Sequence, residues 1–529
     1  MVLKSRIQSS SQVSEMSEPK IGIRSDILME DQLSNRSVLR LKLGKVSRFF
    51  WFPVFFTLVV LVIYLPYQFK TLMGDDLILY SESNKAGGYG STFFGSVTQN
   101  FVGKYRPVFI APFSLILDLL GTNFVYYQIL NCFMLAAVSS LAALITYSIC
   151  NKNLFAAFFV GMAISTSRFG YYYVLQILGF MESLALLLML LSIFFVYQYL
   201  SQKNVNNYYI ALALFFGCIF THERYLLVSP FFIAVSILYP NDQRLLVRIK
   251  NASLVVGIFL VNLVIKVCLL KVSFLVGAGG RETEVSIDSF LKMSYRSLVN
   301  CFGYNSGPGY LSGKNVSEMG LKGFVIALLF AVPALLVIIF AAVVSFRKNG
   351  AMGFFREVIV FSSLFFPLIL SSSISFRLEF RWLFAPFIVL VTLVAYAIMQ
   401  LGRSRTARYS IYSLFLVVSM FQFLYFRPYM PGTYFFDGQK FADSVKSIII
   451  DQHAGELGVT TIYIVTNGQT VQQNWYLAGD DFFNAYAYES NFDVRYVETL
   501  EDIVFEKDER EKKLYFEIRD GNRVVRLVN

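Results

Sequence analysis

The sequence predicts a polytopic α-helical membrane protein of about eleven transmembrane helices, with a small extracytoplasmic α/β domain at its C-terminus. Three observations predict it. Only 15% of the 529 residues are charged, against 56% hydrophobic, too few to solvate a globular surface of this size. Uncharged apolar runs such as Phe124 to Cys150 and Phe324 to Phe346 recur, each long enough to cross a hydrocarbon layer as a helix. Beyond Arg427 the pattern changes to short segments with helical and strand periods. This composition excludes a soluble enzyme and a disordered chain. Run length excludes a β-barrel, whose strands alternate every second residue.

Taken in order, residues 1–48 are polar, rich in Ser and Gln, and end in Arg36, Arg40, Lys42, Lys45 and Arg48. They read as a cytoplasmic tail, too long for the leading part of a cleaved signal peptide and followed by a run without a small-residue cleavage site. The net charge of +11 comes from short basic clusters between apolar runs, the pattern that orients membrane helices, so nucleic acid is not an expected partner. Those clusters are Lys152, Lys203, Arg244/Arg248/Lys250, Arg347/Lys348/Arg356 and Arg403/Arg405/Arg408. With all of them cytoplasmic, the runs between clusters pair off within a transmembrane domain of residues 49–427, and a last span at 409–426 leads outward.

Residues 107–120 do not fit this parity. They are short, carry Pro107, Pro112 and Asp118, and as a crossing would put Lys152 outside. They read as a juxtamembrane helix in an outer loop of residues 67–123. A second outer loop covers 271–322. Between 208 and 239 only His222, Glu223 and Arg224 separate two short runs. A charge at a helix centre costs roughly 2.5–3.5 kcal/mol on insertion scales, so a break at the outer surface is expected there. The C-terminal domain, 428–529, should hold an amphipathic helix over 437–457 (Phe441, Val445, Ile448, Ile449), a strand over Thr460–Thr466 and a hairpin around Asp520-Gly521-Asn522. The five cysteines show neither a disulfide framework nor a zinc spacing.

With that topology the unusual polar residues fall on one side. Gly74-Asp75-Asp76 follows the first span as a solvated loop, and Arg106-Pro107 enters the juxtamembrane helix. Glu182 lies near the outer end of its span, His222, Glu223 and Arg224 form an outer turn, and Arg377, Glu379 and Arg381 cluster at another. Carboxylates and guanidinium groups at a membrane surface suit transfer from a lipid phosphate to a hydroxyl. A carboxylate takes the hydroxyl proton, and fixed cations stabilise the departing phosphate.

This arrangement resembles the GT-C glycosyltransferases, among them the protein O-mannosyltransferases and the aminoarabinose transferases, over roughly residues 49–240. The resemblance implies an inverting transferase using a polyprenyl-phosphate-linked sugar donor and a glycan, lipid or protein acceptor. Asp75 or Asp76 would stand in the place of the base, its neighbour orienting the loop or helping to hold a divalent cation. Arg106, Glu182, His222, Glu223, Arg224, Arg377 and Arg381 would bind donor phosphate or substrate. The turn at 221–224 departs from a family turn that commonly carries Lys, so Arg224 would supply that charge.

Each residue also has a plainer reading. Gly479-Asp480-Asp481 repeats the acidic tripeptide outside that context, and Arg377 and Arg381 suit helix ends at lipid headgroups. There is no Asp-x-Asp, Walker or H-E-x-x-H sequence, which favours a lipid-carried donor over a nucleotide. The competing classes are a transporter or lipid flippase, which would place ionisable groups at midspan, and a non-catalytic membrane subunit. The midsections of the spans are nearly free of charge, with Lys266 the closest exception and still toward the outer end, which favours surface chemistry.

Overall fold

The structure, a computed structural model, describes residues 51–67, 69–85, 105–239, 244–269, 271, 286–303, 316–373, 378–401, 404–432, 434–447, 459–468, 470–486, 493–499, 501, 512–519 and 522–528. Phe52–Asn529 form one compact unit.

The first half of the chain builds helices α1 (Trp51–Tyr64), α2 (Asp75–Lys85), α3 (Pro107–Leu120), α4 (Phe124–Ile149), α5 (Leu154–Ser165), the short α6 (Tyr171–Leu175), α7 (Gly179–Gln202), α8 (Val205–Thr221) and α9 (Ser229–Leu238). There follow α10 (Leu245–Val264), which ends in a π-turn at Ile265–Leu269, α11 (Ile287–Cys301), α12 (Val316–Ser373), α13 (Phe380–Gln400) and α14 (Arg405–Phe426). Six of these are long and apolar enough to cross a membrane, or seven when the bent pair Leu154–Ser165 and Arg168–Leu175 is one span. The chain is a polytopic helical membrane protein in that sense.

Burial divides the long helices. α4 and α7 each have 61% of their most apolar window buried and α13 78%, whereas α10, α12 and α14 have 28% each. α13 is therefore a central helix, and the outward faces of the last three carry exposed Leu260, Leu336, Phe340 and Phe421, as a lipid-facing surface requires.

α12 is two helices. Gly350 takes a positive φ that breaks it, between Lys348 and Arg356. Ser345 Oγ then donates to Glu357 Oε2 at 2.7 Å. Twelve residues along a straight helix would separate those positions by about 18 Å, so the chain folds back on itself there. The expected pair of runs at 323–346 and 357–374 corresponds to the two arms.

Two of the expected runs are interrupted. The run 154–173 is not one straight span: it bends by 52° after Ser165, and Arg168 is buried in the bend. Arg168 is thus a second buried cation within the apolar runs, beside Lys266. The run 208–239 does break, at His222, whose backbone is extended between α8 and a 3-10 turn over Glu223–Val228.

Three of the basic clusters share one end. Asn153 Nδ2 and Arg408 Nη1 both meet Met399 Sδ, at 3.9 and 3.2 Å, and the rings of Phe155 and Tyr409 stack at 4.4 Å. Glu357, Tyr396 and Gln400 line one cavity, which brings the α12 turn to that same end.

At the other end lies the C-terminal segment: α15 (Tyr434–Val445), β1 (Val459–Val465), α16 (Thr470–Leu477), α17 (Asp481–Tyr486), β2 (Asp493–Val497), β3 (Lys512–Arg519) and β4 (Asn522–Val528). The strand order is β2-β1-β3-β4, with β1 parallel to both neighbours and β3–β4 an antiparallel hairpin. β1 falls within a residue of its expected place. α15 starts earlier than expected, buries Phe441 and Val445, and Ile448 and Ile449 lie outside the described residues, as do Asp520 and Gly521 of the hairpin. α16 and α17, which the sequence reading did not anticipate, are short and weakly patterned.

This segment is bonded to the chain around α2. Asp443 Oδ1 accepts from Thr71 Oγ1 (2.5 Å), Tyr476 O accepts from Gly74 N (2.9 Å), and Asp481 Oδ1 accepts from Ser81 Oγ (2.6 Å). Tyr486 Oη accepts from Leu72 N (2.6 Å) and donates to Thr122 O (3.0 Å). α3 runs along the same face: Arg106 at its start meets Glu223, and Thr122 just past its end meets Tyr486.

Candidate functional site

Asp75 and Asp76 do not lie in a solvated loop. They open α2, where acidic side chains favour the positive end of the helix dipole. Asp76 is fully buried, and its Oδ2 and Oδ1 accept from the backbone amides of Ile177 (3.1 Å) and Leu178 (3.4 Å). Those amides precede α7 and have no partner within that helix, so Asp76 caps it from a hundred residues away. On the other side Asn131 Nδ2 of α4 donates to Gln176 O at 2.6 Å. The entry of α7 is therefore fixed from two directions. Burial pushes the Asp76 carboxyl up to about 7; the negative Asp75 adds to this, and the two amides and Arg381 oppose it. Asp75 is half-buried, and its Oδ1 accepts from Trp475 Nε1 at 3.4 Å.

One turn into α7 stands Glu182, with no exposed surface. Its carboxylate pairs with Arg224, lies 3.6 Å from His222 Nε2 and 4.0 Å from Arg381 Nε. Arg381 also pairs with Glu379 and donates to the Tyr172 hydroxyl, and its guanidinium lies 4.1 Å over the Tyr172 ring. Tyr173 donates to the Arg381 carbonyl at 3.2 Å. His222 Nδ1 accepts from Arg224 N at 3.4 Å and so caps the 3-10 turn. Arg106, at the mouth of α3, clasps Glu223 with Nε at 2.9 Å and Nη2 at 2.7 Å, the fork geometry a guanidinium offers a carboxylate. Burial would raise the Glu223 carboxyl, but Arg106, His222 and Lys266 outweigh it and hold it well below the usual range.

Of the residues singled out from the sequence, Asp76, Arg106, Glu182, His222, Glu223, Arg224 and Arg381 meet on this face, with Asp75 turned toward Trp475. Arg377 lies outside the described residues. Sequence reasoning named Glu379 without assigning it a role, treated Lys266 only as a midspan exception, and passed over Tyr172, Tyr173 and Trp475. The run Tyr171-Tyr172-Tyr173 beside an apolar segment was the available signal for two of them.

Four carboxylates (Asp76, Glu182, Glu223, Glu379) face four cations (Arg106, Arg224, Arg381, Lys266), so the cluster is balanced when all are ionised. Its charges are largely paired with one another, and two cavities of the molecule, one beside Arg168 and one between α12 and α13, lie elsewhere. Among the described residues no group of three or more His, Cys, Asp or Glu side chains is placed to hold a metal ion. No family model matches this chain, and no curated protein matches it either.

Proposed function

We propose that the protein is a membrane glycosyltransferase that moves a sugar from a polyprenyl-phosphate donor to the hydroxyl of a glycan, lipid or protein. The observation that carries this reading is the meeting of Asp76, Glu182, His222, Arg224 and Arg381 beside the acidic pair, at the end of the helices opposite the basic clusters. That end is read as extracytoplasmic, together with residues 428–529. The N-terminal tail and Lys152 are then cytoplasmic. Counting α1, α8, α9 and both arms of α12 as crossings, and α5 with α6 as one, gives about eleven spans.

In this reading Asp75 is the base, because it is the partly exposed member of the pair, while Asp76 is occupied by two amides and orients the entry of α7. Asp75 takes the acceptor's proton, the acceptor oxygen bonds to the anomeric carbon from the face opposite the phosphate, and the carbon–oxygen bond to phosphate breaks. The electron pair leaves on the polyprenyl phosphate. Arg381 and Arg224 stabilise that charge, with the donor phosphate taking over guanidinium donors now shared with Glu182 and Glu379. A charge-assisted hydrogen bond is worth roughly 1.5–3 kcal/mol, so Arg381→Ala should weaken donor binding about tenfold or more.

The test is a comparison of surface glycans between a deletion strain and its parent, followed by transfer assays with purified protein and a polyprenyl-phosphate sugar. Loss of one glycan component, restored by the parental chain and not by Asp75→Asn, is the expected result. Unchanged glycans would remove the reading. Labelling of a cysteine at position 152 from outside would overturn the orientation and make α3 a crossing.

A further inference from the structure

Arg168 takes no part in the cluster described above. It sits in the bend between α5 and α6, 8% exposed, and its Nη2 donates to the carbonyl and side-chain oxygen of Asn300 at 3.2 and 3.3 Å. Its guanidinium lies over Phe426 (4.1 Å), Phe380 (4.7 Å) and Phe169 (5.2 Å). A guanidinium does not deprotonate to escape burial, and aromatic faces soften the cost of a buried charge without cancelling it. Its Nη1 is buried and has no hydrogen-bond partner among the described residues.

Gln422 on α14, whose buried Nε2 has no partner among the described residues, lines the same cavity. Gln422 reaches it by lying over Gly303, where a side chain would collide with that nitrogen. Among the described residues no carboxylate lines the cavity. Its volume is about 20 Å³, enough for one oxygen-sized atom. Two buried donors on residues that line one cavity, one of them a permanent cation, with room for one oxygen, suit an anionic oxygen.

We propose that this cavity receives one oxygen of a phosphate group, held by Arg168 Nη1 and Gln422 Nε2, the phosphate being that of a lipid headgroup or a free anion. The site is independent of the transferase reading, since none of its residues belongs to the charged cluster.

Thermal unfolding of the full-length protein in a non-ionic detergent tests it, with short-chain phosphatidylglycerol, the matching uncharged diacylglycerol and inorganic phosphate as separate additions. Phosphatidylglycerol should raise Tm in a saturable way and diacylglycerol should not. The apparent affinity should fall by about tenfold or more in Arg168→Gln, and by a smaller factor in Gln422→Leu, which keeps the buried cation and the helix packing. A response to inorganic phosphate as strong as to the lipid, lost in the same variants, would keep the phosphate site and assign it to a free anion. Equal responses in the parent and in Gln422→Leu, or no response to either phosphate in the parent, would overturn the proposal. Gln422→Leu alone decides the matter if Arg168→Gln does not fold.

Discussion

The tripeptide Gly-Asp-Asp occurs twice, at 74–76 and at 479–481, and the two copies lie on neighbouring helices joined by the Ser81–Asp481 hydrogen bond. Both glycines have positive φ, and both copies lead into a helix. There the likeness ends. In the first copy the second carboxylate is fully buried and caps α7 through two amides. In the second copy the corresponding carboxylate, Asp481, is half-buried and accepts from the Ser81 hydroxyl, while Asp480 before it is exposed, its carboxyl raised by the burial it has and by the neighbouring charges of Asp493 and Asp481. Identical local sequence thus supplies a turn and a helix start in both places, whereas the chemistry of the carboxylates comes from what the rest of the chain packs against them.

The largest expected effect lies in activity. If Asp75 is the base, Asp75→Asn should lower transfer by about 10² to 10⁴, the usual contribution of a positioned base, with abundance unchanged. Asp480→Asn should leave transfer within about twofold, as expected for a carboxylate outside the reacting centre. Equal losses at both positions would erase the functional distinction between the two copies. Retained activity in Asp75→Asn would move the base to Glu182 or Glu223.

Next comes stability. Asp76→Ala leaves the buried amides of Ile177 and Leu178 without their acceptor, and an unsatisfied buried donor costs about 1–3 kcal/mol. Asp480→Ala should stay within about 0.5 kcal/mol, as surface substitutions do. Thermal unfolding of the two variants beside the parent measures both. A parental Tm in Asp76→Ala would mean that the entry of α7 is held by Asn131 alone.

The pH dependence sharpens the same contrast. The Asp76 carboxyl has an ordinary value of 3.8 and stands at about 7 in the folded chain. Between those values the folded protein holds a proton that the unfolded chain has released, so raising the pH favours unfolding. The stabilisation is fully present below about pH 4 and gone by about pH 7. Asp76→Asn should flatten that slope in a plot of Tm against pH, and Asp480→Asn should alter it less. An unchanged slope in Asp76→Asn would show that other groups set it.

Much of the fold was legible in the sequence because membrane helices announce themselves by length and apolarity. The limits of α3, the break at His222, the reversal between Lys348 and Arg356 and the strand at β1 all follow from such local signals. The bend at Arg168 was hidden, since one cation in a long apolar run alters the average little and its aromatic surroundings come from α13 and α14, two hundred residues on. The candidate site was legible as a set of residue types expected at one end of the helices. Its pairing was not. That Arg106 would clasp Glu223, that Arg224 would take Glu182, and that Trp475 would reach Asp75 depends on contacts across 117, 42 and 400 positions of sequence.

The smallest expected effect separates the two glycines. A non-glycine residue in the left-handed region costs about 1–2 kcal/mol from backbone sterics alone, and Gly74 and Gly479, at φ of +55° and +62°, share that cost. They differ in their neighbours. A Cβ at position 74 would come within 3.0 Å of the Trp475 indole, the group that donates to Asp75, whereas at position 479 the nearest atom is Asn474 Oδ1 at 3.5 Å, an ordinary contact. Gly74→Ala should therefore lower Tm more than Gly479→Ala, and the excess should vanish when Trp475 is replaced by Leu, because the ring that the new methyl group displaces is then gone. A double-mutant cycle on Gly74→Ala and Trp475→Leu reads this coupling directly. Additive effects would mean that the indole does not press on residue 74, and that the two copies of the tripeptide differ only in their carboxylates.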